Sequence, residues 1–352
     1  MFARESLRFS RASSAARRAD VALIDVTPEG LRCALGGFYV DPAASVDRAI
    51  LTHAHADHAR PGSVEYVCAQ SSLEVLRARL GDDAKLVGLE YGERRRFGDV
   101  TVSLHPAGHV LGSAQVRIEH EREGVWVISG DYKRDPDPTC APFEPLACDT
   151  FITEATFALP VYVWTDPRVV AKELFDCWRS ERTHATLVFC YAFGKAQRIL
   201  AHLAELTDEP VFLHGAMERL TDAYRRAGVS LAKTSPLPES ASHKDYAGRL
   251  VLCPPSANRS PWMKRFKSPQ TAFASGWMAV RGQKTRRGYE RGFVLSDHAD
   301  WPSLVKTVEE TRAKRVLVTH GSSDAFARYL RESRGIDAAP LGHLYEGDEG
   351  DT

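Results

Sequence analysis

Residues 52–58 read Thr-His-Ala-His-Ala-Asp-His, which crowds three imidazoles and a carboxylate (His53, His55, His58 and Asp57) into one short run. The run follows Ala49-Ile50-Leu51, an apolar stretch that reads as the end of a buried strand. At a strand end the period of two sends His53 and His55 to the same side. The chain then turns, so Asp57 and His58 can face them from a loop or a helix start. Two imidazoles on one side and an Asp/His pair opposite suit two adjacent metal ions better than one. Nitrogen and oxygen donors without thiolate point to zinc, or to manganese or iron. Burying such groups unpartnered would cost on the order of several kcal/mol. The competing reading is a polar surface turn with chance histidines.

At 352 residues the chain is long enough for two domains or one elaborated one. Its 43% hydrophobic and 26% charged residues are those of an ordinary globular protein. Lys plus Arg and Asp plus Glu number 46 each, so any phosphate-binding surface must be a local patch. The seven cysteines are scattered without a CxxC pair, which argues for a reducing, cytoplasmic setting and against a thiolate zinc site. No apolar run approaches the roughly 18–20 residues that span a bilayer. Residues 1–18, rich in Arg, Ser and Ala, resemble a transit peptide superficially, but Glu5 and the lack of an amphipathic face favour a disordered extension over 1–20.

Strands are expected at 21–25, 37–41, 48–51, 64–68, 100–104, 113–118, 125–129 and 150–153, with one strong helix near 71–80. From about 160 the texture becomes α/β winding. Strands are expected at 186–190, 210–213, 250–253 and 272–274, with helices at 195–206 and 218–227, which predicts a separate parallel sheet. From Gly292 the pattern returns to strand (293–295), helix (302–312), strand (315–319) and helix (323–333). Ser235–Ala247 is the expected loop. The layout predicts one domain interrupted by another.

Three further groups each follow a strand beside small residues: His109 in Pro-Ala-Gly-His, Asp131 in Ser-Gly-Asp and His320 in Val-Thr-His-Gly. Each alone is weak; the repeated device is not. Asp131 is the natural bridging carboxylate, since its two oxygens can each bind one ion. The set resembles the metallo-β-lactamase superfamily, whose motifs are HxHxDH, a later His, a later Asp and a final His. That resemblance implies an α/β fold: an αββα sandwich with metals at one edge. It also implies that Asp41, ending the strand 37–40, orients a ligand rather than binding metal.

The span from Asp131 to His320 is far longer than a bare domain of this kind requires. It opens with Thr153-Glu154-Ala-Thr-Phe157 and closes with Ser296-Asp297-His298-Ala-Asp300, which resemble motifs A and B of the β-CASP nucleases; Val-Thr-His320-Gly resembles motif C. Tyr191-Ala-Phe-Gly194-Lys195-Ala-Gln197 matches the strand-to-helix turn of the β-CASP cap. The resemblance covers about 21–345 and implies a lactamase-like domain over 21–160 and 292–352, with a cap inserted at 161–291. Within β-CASP the chain is most similar to the bacterial ligase-associated DNA exonuclease group. The strings carrying this are Leu35-Gly-Gly-Phe-Tyr-Val-Asp41-Pro42, His58-Ala-Arg60-Pro-Gly62, Ser275-Gly-Trp277-Met278 and Phe293-Val-Leu-Ser-Asp297-His298-Ala-Asp-Trp301. Motif C is usually His in RNA-processing members and Val in eukaryotic DNA-repair members. Here it is His320, so the DNA assignment rests on those strings.

The resemblance implies a two-metal phosphodiesterase, with zinc favoured and manganese the alternative. His53, His55 and His109 are assigned to one ion, Asp57, His58 and His320 to the other, and Asp131 to both. His298 is the expected general acid and Glu154 its orienting carboxylate; Asp57 and Asp131 count as catalytic as well as ligating. Lys264, Arg265 and Lys267, beside Trp262, Met263 and Phe266, suit backbone contacts plus base stacking. Arg281, Lys284, Arg286 and Arg287 form a second cationic run. The turn at Lys195 can offer backbone N–H groups to a phosphate, though Gly194-Lys195 is not a Walker motif. The leading expectation is an exonuclease trimming single-stranded DNA ends alongside a ligase. The nearest alternative is an RNA-processing nuclease; a thioester or lactam hydrolase and a catalytically dead nucleic-acid-binding scaffold are the others.

Overall fold

Short apolar strands order the first part of the chain into two sheets. The computed structural model describes residues 22–237, 243–280 and 288–341. The expected extension over 1–20 lies outside them, as do Arg281, Lys284, Arg286 and Arg287.

The first sheet takes β1 (Asp25–Thr27), β2 (Gly30–Cys33), β3 (Phe38–Val40), β4 (Arg48–Ile50), β5 (Glu65–Ala69) and β6 (Leu86–Leu89) in sequence order. Its first three strands pair antiparallel and the rest parallel. The second takes β7 (Arg95–Phe97), β8 (Val100–Pro106), β9 (Ala114–His120), β10 (Gly124–Ile128) and β11 (Thr150–Glu154). It is completed, parallel to β11, by β18 (Arg315–Thr319) and β19 (Asp337–Pro340). The third is wholly parallel, in the order β14 (Thr234–Pro236), β13 (Val211–Leu213), β15 (Leu250–Cys253), β12 (Thr186–Phe189), β16 (Gln270–Ala274), β17 (Arg291–Phe293). Every strand of this sheet lies in the chain between β11 and β18 of the second.

Apolar burial stacks these layers. Phe38, Val40, Ile50 and Val67 of the first sheet meet Val102, Leu104, Val116 and Ile128 of the second. The second sheet's other face, with Phe151, Val316 and Val318, is covered by α5 (Trp301–Thr311) and α6 (Ser323–Arg334) through Leu304, Val308, Phe326 and Leu330. The first sheet's other face packs on α1 (Leu73–Leu80). The third sheet buries both faces. Val188, Leu252 and Ala272 meet α2 (Pro167–Ser180), α3 (Lys195–Leu203) and α4 (Gly215–Arg226). Leu187, Val251 and Phe273 meet Tyr246, Phe266 and Tyr289. Strands buried on both faces read as unbroken apolar runs, which is why Leu-Val-Phe and Leu-Val-Leu-Cys mark β12 and β15.

Several expectations shift. The strand expected at 21–25 begins at Asp25, and that at 293–295 is Arg291–Phe293. Five short strands (β2, β6, β7, β14, β19) and helix α2 were not expected. Helix α2 starts on an Asp166 side-chain cap with Pro167 in the first turn. The Ser235–Ala247 loop is partly outside the described residues; Ser235 itself lies in β14.

Candidate metal centre

The groups singled out in the sequence gather past the carboxyl ends of strands. Asp41 follows β3, and the 53–58 run follows β4. His109 follows β8, Asp131 follows β10, Glu154 ends β11, His298 lies beyond β17 and His320 follows β18. Since β3 and β4 run parallel, as do β10, β11 and β18, their ends share one edge. Strand β4 stops at Ile50, so His53 and His55 converge through the loop rather than by strand alternation; their rings stand edge-on with centroids 4.8 Å apart.

Donor atoms of His53, His55, His109 and Asp131 lie within 4.8 Å of one another. One oxygen of Asp131, Oδ2, is 3.5 Å from His53 Nε2, 3.6 Å from His58 Nε2 and 3.8 Å from His109 Nε2. Asp131 thus stands between the two histidine groups. His58 Nε2 is also 3.6 Å from Asp57 Oδ2, and the His320 ring lies 5.5 Å from that of His58.

Outer partners set the imidazole tautomers. His109 Nδ1 donates to the Asp297 carbonyl at 2.8 Å, which leaves its Nε2 with a lone pair. His55 Nε2 is 3.3 Å from the Phe193 carbonyl and donates to it. His109 Nε2 and His55 Nδ1 are 3.1 Å apart, close to the spacing of two nitrogen ligands on one ion. His58 Nδ1 donates to Asp41 Oδ2 at 2.7 Å, and buried His53 Nε2 has no hydrogen-bond partner. Asp41 also accepts the Thr52 amide and hydroxyl, at 2.7 and 2.5 Å. The sequence singled out Asp41; Thr52, the first residue of the run, went unassigned.

Electrostatics agree with a cation site. Burial, more than the repulsion among neighbouring imidazoles, holds His53 and His109 well below the ordinary histidine range and so neutral. Burial pushes Asp131 up to about 7 against the pull of His58 and His298. Burial disfavours charge on His58, yet Asp57, Asp131 and Asp41 outweigh it and raise the ring to about 10. That field suits a positive ion. The donor set fits divalent metal.

Beside this cluster His298 Nδ1 lies 2.8 Å from Glu154 Oε2, and Glu154 Oε1 accepts the Tyr132 amide at 2.7 Å. Donor atoms of Asp131, Glu154 and His298 again lie within 4.8 Å of one another. Burial opposes charge on His298, but Glu154 and Asp131 raise it to about 10, so it carries its proton at neutral pH.

No protein-family profile matches the chain. A "Probable DNA ligase" of Opitutus terrae is 33% identical over 315 residues, covering 87% of this chain and 30% of that protein. An "RNase J-like protein" of Methanocaldococcus jannaschii is 23% identical, covering 51% of this chain and 50% of that one. The chain belongs to the β-CASP branch of the metallo-β-lactamase superfamily. It spans half or less of the length of these two relatives. A solved structure described as a protein of unknown function from Enterococcus faecalis V583 shares the fold, with a TM-score of 0.59 at 13% identity, over 83% of this chain and 78% of that one.

Not every expected contact of this β-CASP chain survives. Lys195 is buried, with its ammonium 3.0 Å from Asp297 Oδ1 and 4.4 Å above the Tyr191 ring, so it is not a surface contact for nucleic acid. The amides of Gly194, Lys195 and Ala196 already donate to Gln197, Phe193 and Tyr191, which removes the expected phosphate cradle. Phe266 and the partly buried Trp262 and Met263 belong to the third sheet's core, and Arg265 stacks on Trp262 at 5.4 Å. Lys264 and Lys267 are exposed.

Proposed function

We propose that this chain is a two-metal phosphodiesterase acting on DNA, an exonuclease that trims single-stranded ends alongside a ligase. The observation that carries the reading is the His298–Glu154 pair beside Asp131, because it sets a protonated imidazole next to the neutral rings of His53 and His109 and the Asp131 carboxyl group. His53, His55 and His109 would hold one ion, Asp57, His58 and His320 the other, and Asp131 both. When bound, the ions would supply an activated water and offset phosphate charge. Glu154 accepts the Nδ1 proton of His298, which leaves Nε2 to deliver a proton to the departing oxygen. The segment 161–291 would form a cap inserted into a lactamase-like αββα sandwich, with Lys264, Arg265 and Lys267, and the run from Arg281, as its backbone contacts.

DNA is favoured by the relative named as a probable DNA ligase, which matches 87% of this chain. The relative named as RNase J-like supports an RNA-processing reading instead. End-labelled DNA and RNA strands, incubated with zinc or manganese, separate these readings. Metal-dependent, stepwise shortening of DNA is expected. A strong preference for RNA would replace the DNA reading, and no cleavage of either would end both.

A further inference from the structure

Arg198 lies in the third layer of the fold, one helical turn past Lys195 on α3, and its guanidinium is buried. It reaches three separate loops. Nη2 donates to the His109 carbonyl at 3.1 Å, Nη1 to the Ser296 carbonyl at 2.5 Å, and Nε to Asp137 Oδ2. Each loop carries a group of the site: His109 after β8, Asp131 on the segment leading to Asp137, and His298 just beyond Ser296. Asp137 is held in place by accepting the amide of Thr139 at 2.7 Å. Other bonds join the same layers. The Tyr224 hydroxyl of α4 accepts the Leu111 amide at 3.2 Å, and the Phe193 carbonyl meets His55.

We propose that Arg198 is a positioning residue for the metal centre, fixing His109 and His298 relative to Asp131 from the third-sheet layer; this rests on the metal reading above. The guanidinium serves the three acceptors from three different nitrogens held in one plane, whereas lysine's three donors share a single nitrogen, so lysine does not reproduce the fork. Loss of the fork frees the His109 loop and the Ser296–His298 loop to drift apart, which displaces a ligand without removing any.

The test uses the full chain with Arg198→Lys, which keeps a cation against Asp137. Zinc affinity is measured by competition with a chromophoric chelator, and ligand geometry by the visible spectrum of the cobalt-loaded protein. Circular dichroism checks the fold. The expected result is an affinity about 10-fold weaker or more, as for other outer-partner losses, with an altered cobalt spectrum. Ile199→Ala, on the apolar side of the same helix, lowers stability without touching these loops and should leave both readouts unchanged. Wild-type affinity and spectrum in Arg198→Lys, or equal losses in Ile199→Ala, would overturn the proposal. If Arg198→Lys does not fold, Asp137→Ala, which removes the carboxylate that anchors the same fork, should weaken zinc binding in the same direction, and wild-type affinity there overturns it. Failure of the unsubstituted protein to bind zinc would overturn the metal reading itself, and this inference with it.

Discussion

Asp41 and His320 both hold left-handed backbone conformations, with φ of 44° and 58°. Such geometry costs a non-glycine residue on the order of 1–3 kcal/mol and persists where surrounding bonds impose it. At Asp41 those bonds are the Thr52 amide and hydroxyl and the His58 ring. Asp41→Ala is therefore expected to weaken metal binding roughly 10- to 100-fold, read by chelator competition, because His58 loses the partner that sets its tautomer. His298→Gln should leave metal content unchanged while slowing single-turnover cleavage roughly 10²- to 10⁴-fold, as for loss of a general acid. An unaltered rate would remove His298 from the reaction. Asp131→Asn is expected to abolish turnover yet keep substrate binding by fluorescence anisotropy, since Asp131 faces the histidines and not the exposed cations. These side chains were legible in the sequence because imidazole and carboxylate recur at strand ends. Their partners were not: Phe193 and Asp297 act through carbonyl oxygens that every residue carries.

At the level of elements, α3 shows where pattern reading stops. All its residues from Lys195 to Leu203 are buried, including Lys195, Arg198 and His202. A lysine and an arginine on a short amphipathic helix read as a solvated face, whereas here they point into other layers and meet Asp297 and Asp137. Periodicity finds which face is apolar; it does not say that the polar face is also covered. The apolar strands were legible because both faces of β12 and β15 are buried, while β2, β6 and β7, of similar length, carry exposed or half-buried positions that break the apolar run. The turn before α3 depends on Gly194, whose φ is +83° and ψ −70°, with the Lys195 amide bonded to the Phe193 carbonyl. A Cβ there would lie 2.4 Å from Val110 Cγ1. This tight γ-turn is strained for any other residue. Gly194→Ala should lower unfolding free energy by about 1–3 kcal/mol in urea titrations and also weaken zinc binding, because Val110 adjoins His109.

Across the whole molecule, the layers have their own apolar cores, so the metal-free protein should fold, with a stability governed by the charges the site leaves uncompensated. His58 and His298 are raised to about 10, burial being outweighed by Asp57, Asp131 and Asp41 at the first and by Glu154 and Asp131 at the second. Their unfolded value is about 6.5. The folded state therefore binds more protons between these values; the stabilisation is fully present below about 6.5 and is lost as pH rises through about 10. His53 and His109 act oppositely. Burial and adjacent imidazoles hold them well below the ordinary value, so the unfolded chain gains protons first as pH falls through about 6.5. Urea midpoints of chelator-treated protein should thus peak near neutral pH and fall on both sides. Zinc should raise the midpoint at pH 7 by mass action and shrink the alkaline fall, because an ion on His58 takes the place of the proton that ring would otherwise bind. An alkaline fall of equal size with and without zinc would show that His58 is not a ligand, and would separate the second ion of the proposed pair from the first.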